Sequence, residues 1–155
     1  MAIALTMTGL LTTTGCTGVA AWMGGEDVCT TKELSPSIRA RYSLPELPPA
    51  TEVHFCEGED KDGDWARLTF RSAPDEAQSY LRSLGIENFA EIPAEKVDSL
   101  AQPDRNAWRL TKGLSYKKSG KSIEYNGYGL VDYIAFIEDT PHWDGRVYLG
   151  MYCAV

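Results

Sequence analysis

The first 25 residues of this chain contain no Asp, Glu, Lys, Arg or His, whereas every charged side chain falls between Glu26 and Arg146. This division constrains the fold more than any other feature, because it separates a stretch suited to lipid or an export channel from one suited to water. Residues 2–23, AIALTMTGLLTTTGCTGVAAWM, match the roughly 20 residues a helix needs to cross hydrocarbon. The threonines lower the hydropathy, but a helical Thr hydroxyl hides its polarity by bonding back to a backbone carbonyl. A helix packed on a small soluble domain keeps a charged face for solvent, and this segment has none. Residues 1–25 are therefore expected to be a signal peptide or membrane anchor, with the remainder outside the cytoplasm.

Three fates fit that segment. The helix stays as an anchor, or it is cut after Val19-Ala20-Ala21, or Cys16 is lipidated. Thr13-Thr14-Gly15-Cys16 resembles a bacterial lipobox, with Thr13 where Leu is usual. The basic flank that normally precedes such an apolar core is missing, which fits Met1 being an internal start.

Residues 26–155 are one domain's worth of chain. A formal net charge of −7 argues against a nucleic-acid partner, since phosphate binding calls for a basic surface. The cysteines are Cys16, Cys29, Cys56 and Cys153, with no C-x-x-C and no neighbouring pair of His. Their spacing predicts neither a metal site nor a cofactor. In an oxidising compartment two of Cys29, Cys56 and Cys153 are expected to form a disulfide. Strand parity puts Cys56 with Glu52 and His54, opposite Val53 and Phe55, and puts Cys153 with Val147, Leu149 and Met151. If both apolar sets face one core, Cys56 and Cys153 point to opposite sides and need a bulge to meet. Cys29 could reach either, so the pairing stays open.

Residues 26–50, with Pro36, Pro45, Pro48 and Pro49, read as an extended, helix-free tether, and 51–155 as the globular domain. Residues 51–57 and 65–71 alternate as strands around Asp62-Gly63, a hairpin turn signal. Ser72 is placed as the N-cap of a helix that buries Ala77, Tyr80, Leu81 and Leu84 and stops at Gly85. A shorter helix is expected over 93–101, a short strand over 108–110 and a basic loop over 111–122. Strands follow at 128–138 and 146–153, with Asp144-Gly145 turning the chain between them. The predicted fold class is α+β: an antiparallel sheet of about five strands covered on one face by one long and one short helix, a two-layer sandwich.

The stretch LPPATEV, then DWARLTF, then P-x-x-A-x-x-Y-L-x-x-L-G, over residues 47–85, resembles a pattern of small exported or lipid-anchored proteins of unknown function from high-GC Gram-positive bacteria. The resemblance implies an address and a fold style, and carries no functional residue with it.

Four groups of residues bear on function. Asp60, Asp62 and Asp64 alternate like the start of a calcium loop but do not complete one, because position six is Trp65 and position twelve Arg71 where Gly and Glu are needed. Arg109, Lys112, Lys117, Lys118 and Lys121 could hold an anionic envelope polymer or lipid surface. His54 and His142 would serve an acid–base or hydrolase site only if a carboxylate or nucleophile converged on them, and no G-x-S-x-G elbow or phosphate loop is present. Tyr125, Tyr128, Tyr133, Trp143, Tyr148 and Tyr152 supply strand-packing rings or, where exposed, a contact surface for a sugar or protein. The sequence thus favours a non-catalytic, envelope-anchored or secreted binding or structural domain. The alternative is a small extracytoplasmic enzyme with its site near His54 or His142.

Overall fold

The computed structural model describes residues 28–31, 33–60, 63–100, 108–124 and 129–154. The N-terminal segment with Cys16 lies outside them, as do Asp62, Tyr125 and Tyr128. No helix among the described residues is long and apolar enough to cross a membrane.

Seven strands form one sheet: β1 (Val28–Thr30), β2 (Thr51–Asp60), β3 (Gly63–Arg71), β4 (Ala90–Glu91), β5 (Tyr116–Glu124), β6 (Leu130–Glu138) and β7 (Arg146–Ala154). Their order is β1-β2-β3-β7-β6-β5-β4, and every neighbouring pair is antiparallel. The β2–β3 hairpin closes at Asp60 and Gly63. Three helices accompany the sheet: α1 (Pro36–Arg41), α2 (Pro74–Ser83) and α3 (Ala94–Leu100). The chain thus runs from the β2–β3 hairpin through α2 to the far edge, then returns strand by strand until β7 docks beside β3.

Alternation sorts the sheet into two faces. On the first, Phe55, Leu68, Leu149 and Ala135 stand in one row across β2, β3, β7 and β6. Leu68, Leu149 and Ala135 are 0 % exposed. Ala77, Tyr80, Leu81 and Leu84 of α2 and its C-terminal end close over this face, so helical and strand periods meet on one core. The second face buries a separate cluster of Tyr116, Phe136 and Tyr148 under Val97 of α3 and under Trp108 and Leu110.

The expected fold is therefore corrected. The sheet has seven strands, not about five, and the helices are three short ones, of which α2 with ten residues is the longest. Both faces carry helices and buried side chains. The missing strands have physical reasons. β1 and β4 have three and two residues, too few to show a period. β5, YKKSGKSIE, has only Tyr116 and Ile123 as strand formers among lysines, serines and Gly120 and reads as a loop, yet nine register pairs with β6 hold it extended. The strand expected at 108–110 is absent, because Arg109 adopts φ +57 and turns outward between buried Trp108 and Leu110.

The stretch read as a tether also differs. It contributes β1, and Leu34, Tyr42 and Leu44 to the main core. Helix α1 forms because Pro36 occupies its first turn, where a missing N–H costs nothing, and Ser35 Oγ accepts from the Ile38 N–H at 3.3 Å. The Tyr133 hydroxyl donates to the Tyr42 carbonyl at 2.8 Å, which pins this segment to β6. Ser72 is not the N-cap of α2. That position is Ala73, without a side-chain cap bond. Ser72 Oγ instead lies 2.8 Å from the Pro49 carbonyl and 2.9 Å from the Glu76 carboxylate, joining the segment before β2 to the helix start.

Candidate functional site

The densest chemistry lies on the second face, where β1, β2 and β3 run beyond the cover of α3. Register builds it row by row. Cys29 stands opposite Cys56, Cys56 opposite Arg67, Arg67 opposite Gly150 and Gly150 opposite Ile134. The next row places His54 opposite Thr69, and Thr69 opposite Tyr148. Cys29 and Cys56 form a disulfide across β1 and β2, with their Cα atoms 4.1 Å apart. Cys153 takes no part in it. It sits in the first-face core at 1 % exposure, on the opposite side of the sheet from Cys56.

His54 is two residues from Cys56 on the same face, so its Nε2 reaches to 3.4 Å from the Cys56 sulfur. Its Nδ1 is buried without a hydrogen-bond partner among the described residues. Partial burial, and then the positive charge of Arg109, holds the imidazole pKa below the ordinary histidine value. Each disfavours the imidazolium. The Cys29, His54 and Cys56 donor atoms all lie within 4.8 Å of one another.

Beside this group, the Arg67 guanidinium lies 4.2 Å from the Trp108 ring centroid and 5.3 Å from that of Trp65. A cation over an indole face is attracted by the ring quadrupole. Trp108 approaches the sheet closely because Gly150 has no side chain: a Cβ there would fall 2.1 Å from the ring. Trp108 also packs edge-on against Phe136, with centroids 4.8 Å apart. The loop carrying Arg109 is thereby fixed on the sheet.

The five basic candidates do not share one face. Lys118 follows the parity of Tyr116 on the second face, whereas Lys117 and Lys121 point to the first. Lys117 pairs with Asp139 at 2.6 Å. Arg109 and Lys112 are exposed in the segment before β5. Arg109, Lys112, Lys118 and Lys121 form no ion pair with another described residue. The cations are therefore spread over both faces of the sheet, with Arg109 near enough to β2 to act on His54.

The remaining candidates separate. His142 is exposed, far along the chain from the His54 group, and no carboxylate or hydroxyl among the described residues is hydrogen-bonded to either imidazole. Of the aromatic residues, Tyr133 and Tyr148 are core side chains, Trp143 donates from Nε1 to the Arg146 carbonyl at 2.8 Å, and Tyr152 is half-buried. At the end of the second face Glu52 joins Arg71 at 2.8 Å and Arg146 at 2.6 Å, and Arg71 joins Asp144 at 2.8 Å. A groove of about 770 Å³ lies elsewhere, lined by Leu34, Arg39, Glu46, Leu47, Pro48 and Val53 among others; it holds no histidine or cysteine.

Sequence reasoning missed the Trp65–Arg67–Trp108 stack and the Cys29–His54–Cys56 group. The W-x-R and H-x-C spacings carry half of the signal, because residues two apart share a strand face. Trp108 and Cys29 come from distant segments, and only the sheet register brings them in. No protein-family model, curated protein or solved structure matches this chain.

Proposed function

We propose that the chain is a non-catalytic extracytoplasmic domain, attached or exported by its uncharged N-terminal segment, that binds an anionic polymer of the cell envelope. The observation that carries this reading is the set of Arg109, Lys112, Lys118 and Lys121, uncompensated by ion pairs among the described residues in a chain of net charge −7. Arg41, Arg71 and Arg146 contrast with them, each held by a carboxylate. Pairing the uncompensated cations with a polyanion releases its condensed counterions and gains Coulomb energy that salt screens. The backbone at Arg109 supports the same reading. A non-glycine residue at φ +57 is held against its steric preference, and here it directs a guanidinium outward from a segment clamped by Trp108. The Cys29–Cys56 bridge supports the compartment, since disulfides persist where thiols are not kept reduced.

The test is salt-dependent retention on an immobilised polyanionic wall polymer. Replacing Arg109, Lys112, Lys118 and Lys121 by Gln is expected to abolish retention at low salt while leaving the circular dichroism spectrum unchanged. Equal retention of the quadruple variant contradicts the proposal. So does retention on anionic lipid vesicles with none on the polymer.

A further inference from the structure

We propose that reduction of the Cys29–Cys56 bridge opens a three-ligand site, formed by Cys29, His54 and Cys56, for a thiophilic closed-shell cation, cuprous or zinc ion.

The geometry is set by backbone pairing. Cys29 and Cys56 occupy directly opposed positions on β1 and β2. His54 follows on the same strand and the same face, one pleat away, with Nε2 turned to the Cys56 sulfur at 3.4 Å. Donors bound at about 2.0–2.3 Å to one metal stand about 3.5–3.8 Å apart at tetrahedral angles. The two sulfurs are joined in the bridge and all three donor atoms lie within 4.8 Å of one another, so breaking the S–S bond leaves the three side chains close to this spacing. Both strands are anchored independently of the bridge: β2 by its ladder to β3, and the chain following β1 by burial of Leu34 and Tyr42. Cys29 is exposed, which gives a cation a route in.

The donor set decides the metal class. Two thiolates and an imidazole are soft-to-borderline ligands that favour cuprous or zinc ions over calcium and magnesium, which demand oxygen. Three protein ligands satisfy a trigonal cuprous centre, or leave a fourth position on zinc for water.

The bridge gates the site. In the disulfide the two sulfurs share one bonding pair and neither carries the negative charge of a thiolate, which is the metal ligand. A dithiol reductant breaks the S–S bond by transferring two electrons and two protons, forming its own disulfide as Cys29 and Cys56 become thiols. Metal binding then releases the two thiol protons to solvent, because the thiolate is the ligand. The bound cation in turn holds both sulfurs away from reoxidation. This site shares no residue with the proposed polyanion surface, and each stands or falls separately.

The experiment uses the whole chain, reduced anaerobically with a dithiol that is then removed, and titrated with zinc or cuprous ion against a chromophoric chelator. Expected is one metal per chain for at least one of the two ions, with two protons released per metal. Affinity should fall at least tenfold in His54→Ala and be lost to competition in Cys29→Ser, and Cys153→Ser should leave it unchanged. Air-oxidised protein is expected to bind no metal above the level of Cys29→Ser. Equal affinity of reduced wild type and His54→Ala overturns the proposal, whether the reduced chain stays folded or not. Equal binding by the oxidised protein overturns it as well.

Discussion

At Gly150 a single hydrogen atom is what lets the Trp108 ring lie against β7, and through that ring the cover of the second face is held. Adding a methyl group forces the indole off Phe136 and Arg67 together. Overpacking of a fixed contact typically costs about 1–3 kcal/mol. Gly150→Ala is expected to lower the unfolding free energy by that amount in urea denaturation and to red-shift tryptophan emission; an unchanged midpoint would remove Trp108 from the sheet. His54 offers a second residue-scale readout. Burial and Arg109 depress its folded pKa below the roughly 6.5 of an unfolded chain. The unfolded state therefore binds more protons between the two values. The stability contributed by the neutral imidazole is complete above about pH 6.5 and is lost as pH falls from there toward the folded pKa. In a proton NMR titration His54 of the folded chain should show a midpoint below its own midpoint in urea-unfolded protein, and His54→Gln should flatten this part of the stability–pH curve. A folded midpoint at or above the unfolded one contradicts the placement.

At the scale of elements, the Cys29–Cys56 bridge spans 27 residues and ties a three-residue edge strand to the sheet. Closing a loop of that length in the unfolded chain corresponds to about 3.5 kcal/mol of stabilisation in the chain-entropy account. The Cys29→Ser, Cys56→Ser double variant is expected to lose roughly that much by urea denaturation, while a Cys153→Ser change leaves the bridge intact. Equal stability of wild type and double variant would show that the bridge adds nothing to the stability of the fold. Which elements are legible in the sequence follows from the same physics. The β2–β3 hairpin, α2, β6 and β7 announce themselves through a turn dipeptide, a period, or dense strand formers. β5 does not, because its lysines, serines and Gly120 take their extended form from pairing with β6. Helix α1 escapes for a different reason: Pro36 reads as a breaker, although Ser-Pro is an N-cap followed by a permissive first position. At the site, parity alone places His54 beside Cys56 and Trp65 beside Arg67. Their partners Cys29 and Trp108 depend on tertiary register and stay invisible to periodicity.

On the scale of the whole molecule, the sheet ends in two short strands. β4 pairs with only Lys117 and Lys118 of β5, and the covalently held β1 with only Phe55, Cys56 and Glu57 of β2, so the rest of the outer edges of β5 and β2 has no strand partner among the described residues. Burial on both faces and negative net charge favour a soluble domain carried behind an uncharged N-terminal segment. The proposed compartment ties these features together: the bridge fits an oxidising environment, and the uncharged segment and the proposed polyanion ligand fit the same address. The most direct measurement is alkylation of thiols in intact cells, followed by mass spectrometry of the unreduced peptides. The expected result is a linked Cys29–Cys56 peptide pair, with Cys153 alkylated only after denaturation. Recovery of Cys29 and Cys56 as separately alkylated thiols would contradict the extracytoplasmic assignment.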